Sequence, residues 1–130
     1  MIIGIGSDII KIARIEALLL YKKEPFLSKI FTSKEMSLLD KIKHPKRLAG
    51  YVAKRFAAKE AFSKALGTGI GEYVSFKDIE IFSEESKKPF FVFSKKLDKF
   101  LHDKYGSSVA HLSITDEGHY AQAFVIIEKL

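Results

Sequence analysis

The sequence predicts an α+β domain in which an antiparallel sheet packs against one long central helix. Three observations carry this. Residues 47–66 hold a helical pattern that is apolar nearly all round, as a central helix is. The segments 74–93 and 109–128 each hold two β-rich runs around a short polar turn, the mark of antiparallel hairpins. The 130 residues contain no linker, repeat or low-complexity tract, so residues 1–130 form a single domain.

In chain order, residues 1–8 (MIIGIGSD) open with an apolar, β-branched run. Ile2, Ile3 and Ile5 predict a buried strand. Gly4 and Gly6 weaken it unless another backbone or a ligand comes close. Asp8 ends the run and reads either as a functional carboxylate or as the N-cap of the next helix. Residues 11–23 follow as a helix, with Ile12, Ile15, Leu18 and Leu19 on one stripe and Arg14 off it. Lys22 and Lys23 close it, where cations suit the helix dipole. Pro25 begins a break, and Phe26, Ile30 and Phe31 form a patch of one or two turns. Thr32 and Glu35 have the spacing of a capping box. The helix they start carries Met36, Leu38, Leu39 and Ile42 on its apolar face. Pro45 ends that helix and suits the first turn of the next.

On the helix from Arg47 to Leu66, successive residues turn by about 100°. Ala53, Phe56, Ala57, Lys64 and Gly67 then fall within about 60° of Glu60. Leu48, Val52, Phe62 and Leu66 cluster on one flank, and Ala58, Ala61 and Ala65 on the other. The alanines allow another element to approach closely. Glu60 sits beside packed surface and needs a cation or donors to offset its desolvation. Lys64, four residues on, supplies one candidate as a simple ion pair, and a metal ion supplies another. Arg55 and Lys59 fall inside the large-residue arc. Either they snorkel, or the arc reaches an interface or an anionic ligand.

Gly67–Gly71 reads as a glycine C-cap or, more weakly, as a phosphate nest. Residues 74–82 alternate as a strand with a break near Lys77–Asp78. A charged turn at 84–88 leads to a strand at 89–93. Ser94 caps a helix reaching Tyr105. On the strand from Val109 to Thr115, His111, Ser113 and Thr115 share one face. That face is either solvated or a binding surface. After a turn at 116–119, residues 120–128 form the last strand.

The net charge of +6 points to an anionic partner: phosphates, nucleic acid, anionic lipid or an acidic protein. The chain has no cysteine, which excludes disulfides and thiolate metal sites. No apolar run reaches the length of a membrane span, and the first residues lack the pattern of a signal peptide. A cytoplasmic protein is expected.

There is no nucleophile elbow, no His-x-x-x-His pair and no Walker loop. What remains is two carboxylates, Asp8 and Glu60, with Lys64, Arg55 and Lys59 nearby in sequence. Two carboxylates, phosphate oxygens and water are a usual set of magnesium ligands, and the cations suit phosphate. The residues alone do not establish that Asp8 and Glu60 meet. A small basic nucleic-acid-binding α+β domain is the rival reading. Against it stand aromatics that pattern as core, and the lack of any ribonucleoprotein signature or zinc spacing.

Gly4-Ile5-Gly6-Ser7-Asp8-Ile9-Ile10 with Arg14, then Arg55-Phe56-Ala57-Ala58-Lys59-Glu60-Ala61 and Lys64-Ala65-Leu66-Gly67-Thr68-Gly69, resemble the small-type 4′-phosphopantetheinyl transferases, the holo-acyl-carrier-protein synthases. His111-Leu112-Ser113-Ile114-Thr115 is similar to a third signature of that family, and length, order and spacing agree over essentially the whole chain. The resemblance implies the family's fold and reaction. Phosphopantetheine passes from coenzyme A to a serine of apo-acyl carrier protein, leaving adenosine 3′,5′-bisphosphate and supporting fatty acid biosynthesis. It implies Asp8 and Glu60 as magnesium ligands and Lys64 beside the diphosphate. Glu60 is a further candidate for removing the serine proton. It assigns Arg55, Lys59, His111, Ser113 and Thr115, with Lys64, to coenzyme A. Arg14, Lys22 and Lys23 become a docking surface for the acidic carrier protein, with no nucleic acid involved. The family assembles as homotrimers with clefts between subunits, which makes the C-terminal strands interface. Two departures stand out. Larger transferases carry another acidic residue two after the first Asp, where this chain has Ile10. Many relatives have His where it has Asp116.

Overall fold

The computed structural model describes all residues from Met1 to Leu130. The elements are β1 (Ile2–Lys11), α1 (Ile12–Tyr21), α2 (Lys23–Ile30), α3 (Ser33–Leu39), α4 (Pro45–Leu66), β2 (Ile79–Ser83), β3 (Pro89–Phe93), α5 (Lys95–Tyr105), β4 (Ser108–Asp116) and β5 (Tyr120–Lys129). A 3₁₀ turn at Phe76–Asp78 precedes β2. Strands β1, β5 and β4 make a three-stranded antiparallel sheet in that order, and β2 and β3 make a separate hairpin. The expected α+β architecture, with antiparallel strands on a central helix, is what forms.

Helix α4 lies across the sheet and is buried on nearly every side, including Ala49, Val52, Ala53, Ala57, Ala58, Ala61, Phe62 and Leu66. Pro45 is its first residue, where a missing N–H costs nothing. Gly67 ends it in the left-handed conformation at φ 87°, and its N–H bonds back to the carbonyls of Ser63 and Lys64. The C-cap reading of the glycines thus holds at Gly67. The inner face of the sheet is built from small or branched residues: Gly4, Gly6, Asp8 and Ile10 on β1, opposite Ile127, Val125, Ala123 and Ala121 on β5.

The two glycines of β1 explain themselves here. A Cβ on Gly4 would stand 2.0 Å from the Ala65 carbonyl oxygen, and one on Gly6 would stand 2.1 Å from the Ala61 carbonyl oxygen. Strand and helix backbones touch, with nothing but glycine on one side and alanine on the other.

Four expectations are corrected. The first strand does not stop at Asp8 but runs to Lys11, so Asp8 is a mid-strand residue and Lys11, without a side-chain cap, takes the N-cap position of α1. Pairing with β5 continues through Tyr120, and the ladder holds the chain extended past the polar residue. Lys22 and Lys23 do not close one helix: α1 ends at Tyr21, and Lys23 begins α2, whose first turn tolerates Pro25. Helix α4 begins at Pro45, two residues before the expected Arg47. The strand read over 74–82 starts only at Ile79, because the side chain of Asp78 accepts hydrogen bonds from the N–H and hydroxyl of Ser75 and from the Ser94 hydroxyl. That local closure competes with the ladder. The Thr32–Glu35 capping box forms as expected.

Gly6→Ala should destabilise the protein by about 3 kcal/mol, the upper end for overpacking, in urea denaturation. Gly71→Ala, with nothing within 4 Å of its Cβ and an ordinary φ, is the control. A loss at Gly6 under about 1 kcal/mol would mean that β1 and α4 are not pinned there.

Candidate active site

The close crossing of β1 over α4 sets where Asp8 goes. Inward-facing positions on a strand recur every second residue, so Gly4, Gly6 and Asp8 share the face against the helix. The contacts step from Ala65 to Ala61 along that face, and Asp8 follows beside the turn that carries Glu60 and Lys64. The Lys64 ammonium donates to Oδ1 of Asp8 at 3.0 Å and to the Ser7 carbonyl at 3.2 Å. The Glu60–Lys64 ion pair, one of the two candidates for offsetting Glu60, does not form; Lys64 pairs across to the strand instead.

Glu60 is left without an ion pair. Burial, and then the charge of Asp8, push its carboxyl above the ordinary carboxylate range, while Lys64 partly opposes the shift. Glu60 is thus an unpaired carboxylate beside the charge of a second one, an arrangement that suits a cation. No third His, Cys, Asp or Glu joins them. Ile10, the next inward position on β1, is buried and apolar.

The other candidates lie elsewhere. Lys59 is fully buried and donates to Oε1 of Glu35 at 2.7 Å, to the Ile30 carbonyl at 2.7 Å and to the Phe76 carbonyl at 3.1 Å. All three of its protons are committed, so the expectation that it holds a coenzyme A phosphate fails. Burial pushes its pKa down, and the Glu35 carboxylate works against that shift. Arg55 is also buried, on the flank of α4 away from Glu60. Its guanidinium lies 3.6 Å from the centroid of the Tyr51 ring, and its Nη2 donates to the Ser83 hydroxyl at 3.4 Å. Its Nε–H is buried without a partner, an open donor in an otherwise satisfied interior.

His111, Ser113 and Thr115 project from the sheet face opposite α4, and His111 Nε2 meets Glu128 Oε1 at 3.0 Å. One chain does not bring them to Asp8 and Glu60, because the sheet stands between. Arg14, Lys22 and Lys23 are exposed, beside the exposed apolar side chains of Leu20 and Tyr21. Asp116 pairs with Lys54 at 3.8 Å. The sequence reading missed Glu35 as the partner of Lys59. Its capping-box spacing was visible, but the second carboxylate oxygen, which accepts from the Ile81 N–H, engages a strand that only the fold brings near.

The sequence model of the 4′-phosphopantetheinyl transferase superfamily matches residues 4–125. The chain belongs to that superfamily. A holo-acyl-carrier-protein synthase of Vesicomyosocius okutanii is 46% identical over 128 residues, with 98% of each chain covered. The crystal structure of a holo-acyl-carrier-protein synthase from Neisseria meningitidis superposes with a TM-score of 0.90 at 42% identity, covering 99% of this chain and 100% of that one. One from Bacillus anthracis, solved in complex with coenzyme A (3′,5′-ADP), gives a TM-score of 0.84 at 41% identity, covering 100% of this chain and 99% of that one. As a superfamily member the chain is a transferase enzyme.

Two outcomes test the charge arrangement. The folded pKa of Glu60 lies above its unfolded value near 4.5. As pH rises through that window the unfolded chain releases its proton first, so this residue lowers stability at neutral pH. Glu60→Gln should therefore raise the melting temperature at neutral pH, with the gain fading as pH falls below the ordinary carboxylate range. Lys59→Met strands Glu35 in the interior and should cost about 3–5 kcal/mol in denaturant melts. The fraction that remains folded should keep its KM for coenzyme A.

Proposed function

We propose that Asp8 and Glu60 hold a magnesium ion at the site where this chain transfers 4′-phosphopantetheine from coenzyme A to a serine of apo-acyl carrier protein. The reaction itself follows from superfamily membership and from relatives that carry that name over nearly the full chain. The observation that supports the metal reading is the β1–α4 crossing, which brings Asp8 to Lys64 and sets its charge against Glu60. The donor set fits a hard divalent ion: carboxylate oxygens only, with positions left for water and phosphate. When bound, such an ion offsets charge growing on the leaving phosphate.

The residues of the chain do the rest. Lys64 carries a mobile ammonium at the rim and stabilises the diphosphate as its charge grows. Glu60 is also the candidate to receive the serine proton. The open Nε–H of Arg55 supports a role in binding a phosphate of coenzyme A.

Ile5, Ile9, Val109 and Phe124 are exposed on the outer sheet face that carries His111, Ser113 and Thr115. An apolar face of this kind is suited to cover by another copy. A homotrimer would use that face and would bring His111, Ser113 and Thr115 to the cleft of a neighbouring subunit. Arg14, Lys22 and Lys23, with Leu20 and Tyr21, suit an acidic, amphipathic partner such as the carrier protein. The fatty acid biosynthetic role follows from that substrate. No helix is long and apolar enough to cross a membrane, in keeping with the cytoplasmic reading.

Mass spectrometry of apo-carrier protein, incubated with coenzyme A and magnesium, should show the phosphopantetheine mass gain, and a chelator should abolish it. Asp8→Asn should slow the gain by about a hundredfold or more. Near-normal turnover of Glu60→Gln at saturating magnesium would remove Glu60 from proton transfer. No gain, together with tight salt-sensitive binding of nucleic acid, would favour the rival reading. Raising salt should slow carrier-protein association more than it slows the chemical step.

A further inference from the structure

Lys64 does something an isolated helix would not. Four residues after Glu60, it has a natural partner on its own helix. It reaches across to β1 instead and commits two of its three protons there, one to Asp8 and one to the Ser7 carbonyl. The Asp8 side chain is 17% exposed and that of Lys64 is 53% exposed. The carboxylate is therefore fixed in the wall of the site, while the ammonium rides on a solvated stem.

We propose that Lys64 is an internal competitor for the divalent cation: its ammonium holds the Asp8 oxygen that the cation needs and gives it up when a diphosphate arrives. This rests on the reading that Asp8 and Glu60 hold such an ion. The physical logic is a trade of charges. Two carboxylates brought to one turn repel each other, and the ammonium bonded to Asp8 offsets part of that repulsion. A divalent ion relieves all of it, but must displace or share the bond to Asp8. The diphosphate of coenzyme A offers the ammonium a second anion. Lys64 can move to it without repacking the core, because its stem is half exposed. Cation binding alone is thus weakened, and binding of the substrate strengthens it. By linkage, the cation strengthens substrate binding to the same degree. Lys64 becomes the residue that makes metal and coenzyme A load together.

The test uses the full chain and Mn²⁺ as a spectroscopic probe, counting free ion by electron paramagnetic resonance. Without coenzyme A, Lys64→Met should bind Mn²⁺ on the order of three- to tenfold more tightly than the parent, as removal of one nearby solvated cation implies. Asp8→Asn and Glu60→Gln should each bind it about tenfold or more weakly. Lys11→Met removes an exposed cation from the same strand without touching Asp8 and should stay within about twofold. Coenzyme A should then raise Mn²⁺ affinity more in the parent than in Lys64→Met. Unchanged or weaker binding by Lys64→Met, or an equal rise with coenzyme A, overturns the competition while the cation site stands. Undiminished binding by both Asp8→Asn and Glu60→Gln removes the cation reading and the competition with it. Circular dichroism melts of each variant separate loss of a ligand from loss of the fold.

Discussion

Backbone contact between β1 and α4 is the constraint from which the rest follows. Gly4 and Gly6 leave no Cβ, and Ala61 and Ala65 leave little more, so strand and helix meet at carbonyl distance. At an ordinary strand–helix spacing the Lys64 ammonium would not reach Asp8 as it does here. At this spacing the third inward residue of the strand drops beside the charged turn of the helix. Small residues that contribute little burial energy are here the ones that assemble the site. Their cost is the flexibility of glycine in a strand, and the β5 ladder, paired along nearly the full length of β1, offsets it.

Helix α4 also shows how three cations of one element, Arg55, Lys59 and Lys64, can have three fates. Lys59 is consumed by the interior, tying α2, α3 and the 3₁₀ turn to the helix through Ile30, Glu35 and Phe76. Arg55 is half-consumed, stacked on Tyr51 with one donor left over. Lys64, alone of the three, keeps a solvated stem, and only it pairs with Asp8. Distance along the helix does not separate these roles. Angle does, together with the element that each flank meets.

The sheet divides the remaining chemistry. Its inner face carries Asp8, and its outer face carries His111, Ser113 and Thr115. A single copy cannot bring the two faces together. The exposed isoleucines of β1 and Phe124 of β5 leave that outer face apolar as well as polar.

The sequence by itself determined the fold class, the capping box at Thr32, the glycine stop at Gly67 and the angular neighbourhood of Glu60 and Lys64. These depend on periodicity and local hydrogen bonding, which act within a few residues. It also raised the right question about Gly4 and Gly6, which needed a close neighbour to make sense. The tertiary structure alone decided what that neighbour was, and hence that Asp8 stays in the strand instead of capping a helix. It turned Lys59 inward to Glu35 and sent Lys64 to Asp8 instead of Glu60. Each of these is a choice between a local partner and one more than twenty residues away. Such choices are settled by which surfaces the fold brings into contact, a property that no window of sequence contains.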